Sequence, residues 1–208
     1  MTPARAALER LRDGNRRFVA GTRTGDTLLS HAQRAELARG QQPFAIILGC
    51  SDSRVPAEIV FDQGLGDLFV IRVAGNIVAP SQVGSVEFAA ARFGTRLVVV
   101  LGHSQCGAVL ATLEELRQPT VQRSANLRAI VDRVRPSVEG LLSTELRHDL
   151  DALVRQAVRA NIGVSVSHLR HGSEIVERLI QHDDLLVVGA EYSLDTGVVE
   201  FFDGAETG

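Results

Sequence analysis

The chain predicts an α/β fold with a mostly parallel central sheet of four strands, flanked by helices, and three features carry that prediction. Apolar runs at 44–49, 68–71, 96–101 and 185–189 are continuous rather than alternating, the pattern of strands covered on both faces. Segments with helical spacing lie between these runs, so strands and helices alternate along the chain. Two of the strands lead directly into polar stretches rich in reactive side chains. Cys50-Ser51-Asp52-Ser53-Arg54 follows the first, and Gly102-His103-Ser104-Gln105-Cys106-Gly107 follows the third. Open parallel sheets form their sites at the carboxyl edge, which lets Cys50, Asp52, His103 and Cys106 converge on one point.

Taken in order, Thr2 caps a first helix with Pro3 at its first position. Ala7, Leu8, Leu11, Phe18 and Val19 then recur at helical spacing. The polar loop Gly21-Thr22-Arg23-Thr24-Gly25-Asp26 leads to a short helix over 31–39, so residues 1–40 form a helical arm ahead of the sheet. The arm's apolar stripe of Leu8, Leu11 and Phe18 needs a cover; a partner subunit, favoured here, or the chain's own sheet can supply it. After the first strand, the chain turns through Pro56 into a helical segment that Gly64-Leu65-Gly66 ends. With no third glycine and no following helix, these glycines are structural rather than a dinucleotide fingerprint. The second strand precedes a helix over 82–93 with Val86, Ala89 and Ala90 on one side and Gly94 as its stop.

Beyond the third strand, Ser104 is placed to cap a helix through Val109, Leu110 and Leu113. That puts Cys106 in the first turn, where the dipole favours a thiolate. Residues 118–136 hold a loop and a short helix opened by Ser124, and 148–171 a long helix with Leu153, Val154 and Val158 inward. Ser173 opens another helix, the fourth strand follows, and 197–202 returns as an antiparallel edge strand.

A length of 208 residues suits a single domain over 1–208, large enough to bury a core without staples. Net charge −3 and pI near 6.1 leave no electrostatic footprint for nucleic acid or an anionic membrane. All 22 basic residues are Arg, so Schiff-base chemistry and a Gly-Lys-Ser/Thr phosphate loop are excluded. The amino terminus has no apolar signal core, and no run nears the roughly 18 apolar residues of a membrane span. A cytoplasmic location is the expectation. In that reducing compartment two loop cysteines read as ligands or nucleophiles rather than as a disulfide.

Three readings of the anchor compete. Cysteine-dependent phosphatases space their Cys and Arg by five residues so that backbone amides ring the phosphate; here three intervene. Either Cys50 or His103 alone would read as a buried hydrophobe or a strand-end hydrogen bond. Together, the chain's only two cysteines and a histidine three residues before one of them suit tetrahedral Zn²⁺. With three protein ligands the fourth position decides between a catalytic and a structural site. Asp52 could take it, but Arg54 competes for the same carboxylate. His31, His148, His168, His171 and His182 lie away from the strand ends, and His168 with His171 reads as a solvated helix end.

Cys50-x-Asp52-x-Arg54 with His103-x-x-Cys106-Gly107 resembles the β-class carbonic anhydrases. The similarity extends through Gly66-Asp67-Leu68-Phe69-Val70-Ile71-Arg72, Ala74-Gly75-Asn76 and Ser85-Val86-Glu87-Phe88-Ala89. The resemblance implies a zinc enzyme, with one Zn²⁺ per chain, for CO₂ + H₂O ⇌ HCO₃⁻ + H⁺ by attack of zinc-bound hydroxide. It further implies a homodimer or homotetramer in which a neighbouring subunit completes each pocket. It assigns Cys50, His103 and Cys106 as zinc ligands, and Asp52 and Arg54 as the dyad that orients the hydroxide, with Asp52 as fourth ligand in a closed state. The Gly107 amide would steady the anion, and Gln41, Phe69 and Phe88 would line the plant-type substrate pocket. Relatives on this fold that hydrolyse CS₂ or COS remain an alternative, as does a non-catalytic zinc module. In some members a tryptophan, an arginine and a tyrosine build a second, inhibitory bicarbonate site. Arg72 and Tyr192 match, but Ile47 stands in the tryptophan's place, so no such inhibition is expected.

Overall fold

The computed structural model describes residues 2–23, 31–118 and 124–205, the side chains of 31–33 excepted. Of the polar loop after the first helix, 24–26 therefore lie outside the described residues, as does the side chain of His31.

Five strands form one sheet in the order β2-β1-β3-β4-β5. They are β1 (Ala45–Gly49), β2 (Leu68–Arg72), β3 (Leu97–His103), β4 (Leu186–Tyr192) and β5 (Val199–Asp203). The first four run parallel and β5 returns antiparallel along β4, as the apolar runs lead one to expect. Every residue of β1 and β3 is buried, because helices cover both faces. One face carries α1 (Ala4–Val19) and α3 (Ala57–Val60); α2 (His31–Leu37) follows α1 in the arm. The other carries α4 (Pro80–Phe93), α5 (Gly107–Arg117), α6 (Ala125–Val138), α7 (Leu150–His171) and α8 (Glu174–His182).

After β1 the chain steps outward to β2 and then back across to β3. The strand order thus reverses between β1 and β3, and open α/β sheets leave a crevice outside the carboxyl ends at such a reversal.

Local signals place most helix ends. Gly94 adopts the left-handed conformation (φ 69°) that terminates α4. The side chains of Ser124, Asp149 and Ser173 accept hydrogen bonds from Asn126, Ala152 and Val176 N–H at the starts of α6, α7 and α8. Several expectations are corrected. Pro3 is the non-helical residue before α1, so Thr2 stands one position too early to cap it. The helix opened by Ser124 is long rather than short, running 14 residues to Val138. Val154 packs against the core at its edge and is half-buried, because the fully buried stripe of α7 passes through Leu153, Ala157 and Val158. β4 continues past the apolar run to Tyr192, since β5 pairs along it.

The arm's stripe is covered within the chain. Ala7, Leu8 and Leu11 pack with Val60, Phe61 and Val99 in the core on that face of the sheet. Buried Asn15 fastens the helix: its amide donates to the carbonyls of Val60 and Gly197 at 3.2 and 2.9 Å and accepts from Val199 N–H at 2.8 Å. The stripe therefore gives no reason of its own for a partner subunit.

Candidate metal centre

Register brings the two polar stretches together. Gly49, the last residue of β1, pairs with Leu101 of β3, so Cys50 emerges beside the end of β3. His103 is the final residue of β3 rather than a loop residue beyond it. A turn with Gln105 at φ 56° then delivers Cys106. The two Sγ atoms and an imidazole nitrogen of His103 all lie within 4.8 Å of one another, and all three residues are buried.

The helix after β3 corrects the expected capping. It starts at Gly107 with Cys106 as its N-cap residue, one position before the first turn. Ser104 caps nothing there; its Oγ accepts from Leu194 N–H at 3.0 Å and ties the turn to the segment after β4. The thiol gains by this shift. At the N-cap position the amides of Ala108 and Val109, unpaired within the helix, favour negative charge on the Cys106 sulfur. Cys50 Sγ accepts from Gly75 N–H at 3.4 Å, and the Asp52 amide also favours charge on it. Both sulfurs thus sit among peptide donors, which favours thiolate charge. The sulfurs lie 4.0 Å apart. Without a metal their proton loss is coupled: Cys106 holds the Cys50 thiol low, and the charge this leaves, with burial, pushes Cys106 up.

These donors fit zinc. Two Zn–S bonds of about 2.3 Å at a tetrahedral angle hold sulfurs roughly 3.8 Å apart, close to the observed 4.0 Å. His103 Nδ1 lies 2.9 Å from the Ser104 carbonyl. A carbonyl only accepts, so Nδ1 carries the proton and Nε2 keeps its lone pair for the cluster, the usual outer-shell device for a ligating histidine. Among the described residues Nε2 is buried without a hydrogen-bond partner.

Asp52 stands at the mouth of the cluster, its Oδ2 3.7 Å from His103 Nε2. Arg54 grips it with Nε and Nη2 at 2.9 and 2.7 Å, and Arg54 N–H adds a third bond at 3.0 Å. The guanidinium fork holds the carboxyl well below the usual carboxylate range, so Asp52 is an ionised acceptor. Arg72 braces the same loop, donating to the carbonyls of Cys50 and Asp52 at 3.0 and 2.6 Å. Those particular roles of Arg72 and Gly75 were not legible beforehand, although both residues belong to the stretches that carry the family resemblance.

The expected pocket residues do not all meet. Phe69 and Phe88 lie with ring centroids 6.2 Å apart, joined by Phe93, and Phe88 is 54% exposed. Gln41 is elsewhere, on a surface cavity of about 430 Å³ with Arg34, Leu37 and Leu65. Ile47 is fully buried in the core, Tyr192 is buried against Phe18, and Arg72 is committed to the Cys50 loop.

Soft donors buried at the reversal point of a parallel sheet place the chain among α/β metalloproteins. Comparison with known proteins narrows this. The family model described as carbonic anhydrase matches residues 45–199. The chain is 43% identical over 192 residues to carbonic anhydrase 2 of Mycobacterium tuberculosis, covering 92% of this chain and 89% of that one. In structure it resembles the β-carbonic anhydrase CafA of Aspergillus fumigatus, with a TM-score of 0.74 at 27% identity over 98% of this chain and 92% of that one. It also resembles a tetrameric β-carbonic anhydrase of Sordaria macrospora, with a TM-score of 0.73 at 26% identity over 84% and 87%. The chain belongs to the β-carbonic anhydrase family. It is an enzyme of the reversible hydration of carbon dioxide.

Proposed function

We propose that the chain carries out this reaction at one zinc held by Cys50 Sγ, His103 Nε2 and Cys106 Sγ. The carrying observation is the convergence of these three buried ligand atoms within 4.8 Å. A bound zinc supplies Lewis acidity that turns a water into the nucleophile for the carbon of CO₂. Asp52 Oδ2, held ionised by Arg54, would accept a hydrogen bond from that water and so orient it toward the substrate. While Arg54 keeps its bidentate grip, Asp52 stays off the metal; released, it would become the fourth ligand of a closed state. Gly107 N–H, the first of α5, faces developing negative charge on the product as helix amino termini do. Phe69 and Phe88 form the apolar wall that a nonpolar substrate needs.

Self-association completes the site in this reading. Phe88 is exposed and Gln41 lies outside the cluster, so a second copy would cover the one and bring the other; the Sordaria relative is tetrameric. Two free thiols 4.0 Å apart must stay reduced to bind metal, which supports a cytoplasmic location. Stopped-flow CO₂ hydration with metal analysis tests the proposal. One zinc per chain and a rate lost on chelation are expected. Full activity without zinc, or turnover of CS₂ or COS in place of CO₂, would overturn it.

A further inference from the structure

α7 buries a stripe of eight residues against the sheet, and two of them, Asn161 and Ser165, are polar and nearly inaccessible at 1% and 3% exposure. Both use their polarity on one turn, Ala74–Asn76, which follows β2. Asn161 Nδ2 donates to the Gly75 carbonyl at 2.8 Å, and Ser165 Oγ donates to the Asn76 carbonyl at 3.0 Å. The acceptors are carbonyls, so the direction of both bonds is forced.

The turn is left-handed at two successive residues. Gly75 has φ 71°, free of penalty for a residue without Cβ, and Asn76 φ 44°, a region that residues with a side chain adopt less readily. Asn76 Nδ2 is also buried without a hydrogen-bond partner among the described residues. A Cβ at Gly75 would come within 3.0 Å of Ala108 on α5, so the backbone is wedged as well as tied. Such a conformation persists only where its surroundings over-determine it, and it clusters at functional sites. What the turn produces is the Gly75 N–H aimed at Cys50 Sγ, 3.4 Å away.

We propose that Asn161 and Ser165 are positioning residues for the metal centre, acting from α7 through the Gly75 and Asn76 peptides to keep that N–H on the Cys50 sulfur. The inference rests on Cys50 being a zinc ligand. With both downstream carbonyls tied to α7, Asn76 cannot relax to right-handed geometry without breaking a buried hydrogen bond. Gly75 N–H then stays in place. A donor on a ligand sulfur draws charge from it, so the sulfur gives less to the metal and its orientation is held. Among the described residues neither side chain hydrogen-bonds a metal ligand, and both stand in an otherwise apolar stripe.

The test uses the full chain loaded with Co²⁺, whose thiolate-to-metal charge-transfer band reports the electron richness of the sulfurs. In Asn161→Ala and Ser165→Ala the band should move to longer wavelength, further in the first. Zinc affinity, measured by chelator competition, should fall about 10–100-fold, the usual scale for outer partners of a ligand. Leu169→Ala, on the same helix and equally buried, should lose thermal stability yet keep the wild-type band. Ser165→Ala removes a single hydroxyl and carries the test if Asn161→Ala does not fold. A wild-type band and affinity in the folded polar variants would overturn the inference, as would an equal shift in Leu169→Ala. A wild-type Co²⁺ protein with no thiolate band at all would instead overturn the ligand assignment, and the inference with it.

Discussion

The metal end and the aromatic edge of this molecule are built to different degrees of completion. At the metal end one chain brings together three buried donors, a peptide N–H on the Cys50 sulfur, a carbonyl that sets the imidazole tautomer, and two arginines bracing the Asp52 loop. At the edge, Phe69, Phe88 and Phe93 contact one another, yet Phe88 keeps half its surface exposed, and Gln41 lies on a separate cavity. The difference teaches that the donor cluster is assembled within one chain, whereas in the proposed reading the substrate wall would need a second one.

The largest effect that would sharpen this contrast is expected at a ligand. Cys106→Ser should lose zinc and lower the rate more than about 100-fold, since even outer partners of a ligand are worth 10–100-fold. Its assembly mass by light scattering should not change. Retention of zinc and rate would break the assignment. Arg54→Ala should leave zinc in place but lower the rate about 10–100-fold. Arg54 depresses the Asp52 carboxyl, so removing it raises that group's titration, and the loss of rate as pH falls should begin at a higher pH than in wild type. A pH–rate profile parallel to wild type would contradict this.

Phe88→Ser is the converse of the ligand variant. Losing ring contacts worth about 1 kcal/mol, it should keep zinc yet form smaller particles and turn over several-fold more slowly. Unchanged mass and rate would mean the edge is complete in one chain. Smaller still is the expectation for Glu200, which lies outside both regions and accepts two bonds from Arg159 at 2.8 and 3.0 Å. That pairing lowers the Glu200 carboxyl, so its contribution is present above the unfolded carboxylate value of about 4.3 and fades as pH falls. For a surface pair it is less than about 1 kcal/mol. Glu200→Gln should lower Tm slightly at neutral pH and not at all near pH 3, as calorimetry would show. Bicarbonate, finally, should inhibit only as product. Ile47 is sealed in the core and Arg72 is engaged by two loop carbonyls, so a cooperative inhibition curve would be contrary to the structure.

Much of the architecture was legible in the residues themselves. Short continuous apolar runs bounded by loop and turn residues and alternating with helical patterns fit buried parallel strands, which is why β1 to β4 and their parallel direction could be read in advance. The soft-donor motif was equally plain, because thiol and imidazole side chains at strand ends have few other uses. Local sequence could not decide where local preferences compete with longer-range contacts. Ser104 looks like a cap, yet Leu194 N–H, brought up by β4, takes its hydroxyl, leaving Cys106 at the cap position. The stripe of Leu8 and Leu11 states only that a cover is needed; within the chain it packs against Val60 and Val99. Asn161 and Ser165 read as interruptions of an apolar helix face, and only the tertiary fold, placing α7 across the turn 85 to 91 positions earlier in the chain, puts them beside Gly75 and Asn76. The sequence alone determined the strands, the helices and the identity of the donor atoms, because these depend on side-chain chemistry and short-range periodicity. Tertiary structure decided which buried polar group meets which, since that depends on distances between segments far apart in the chain.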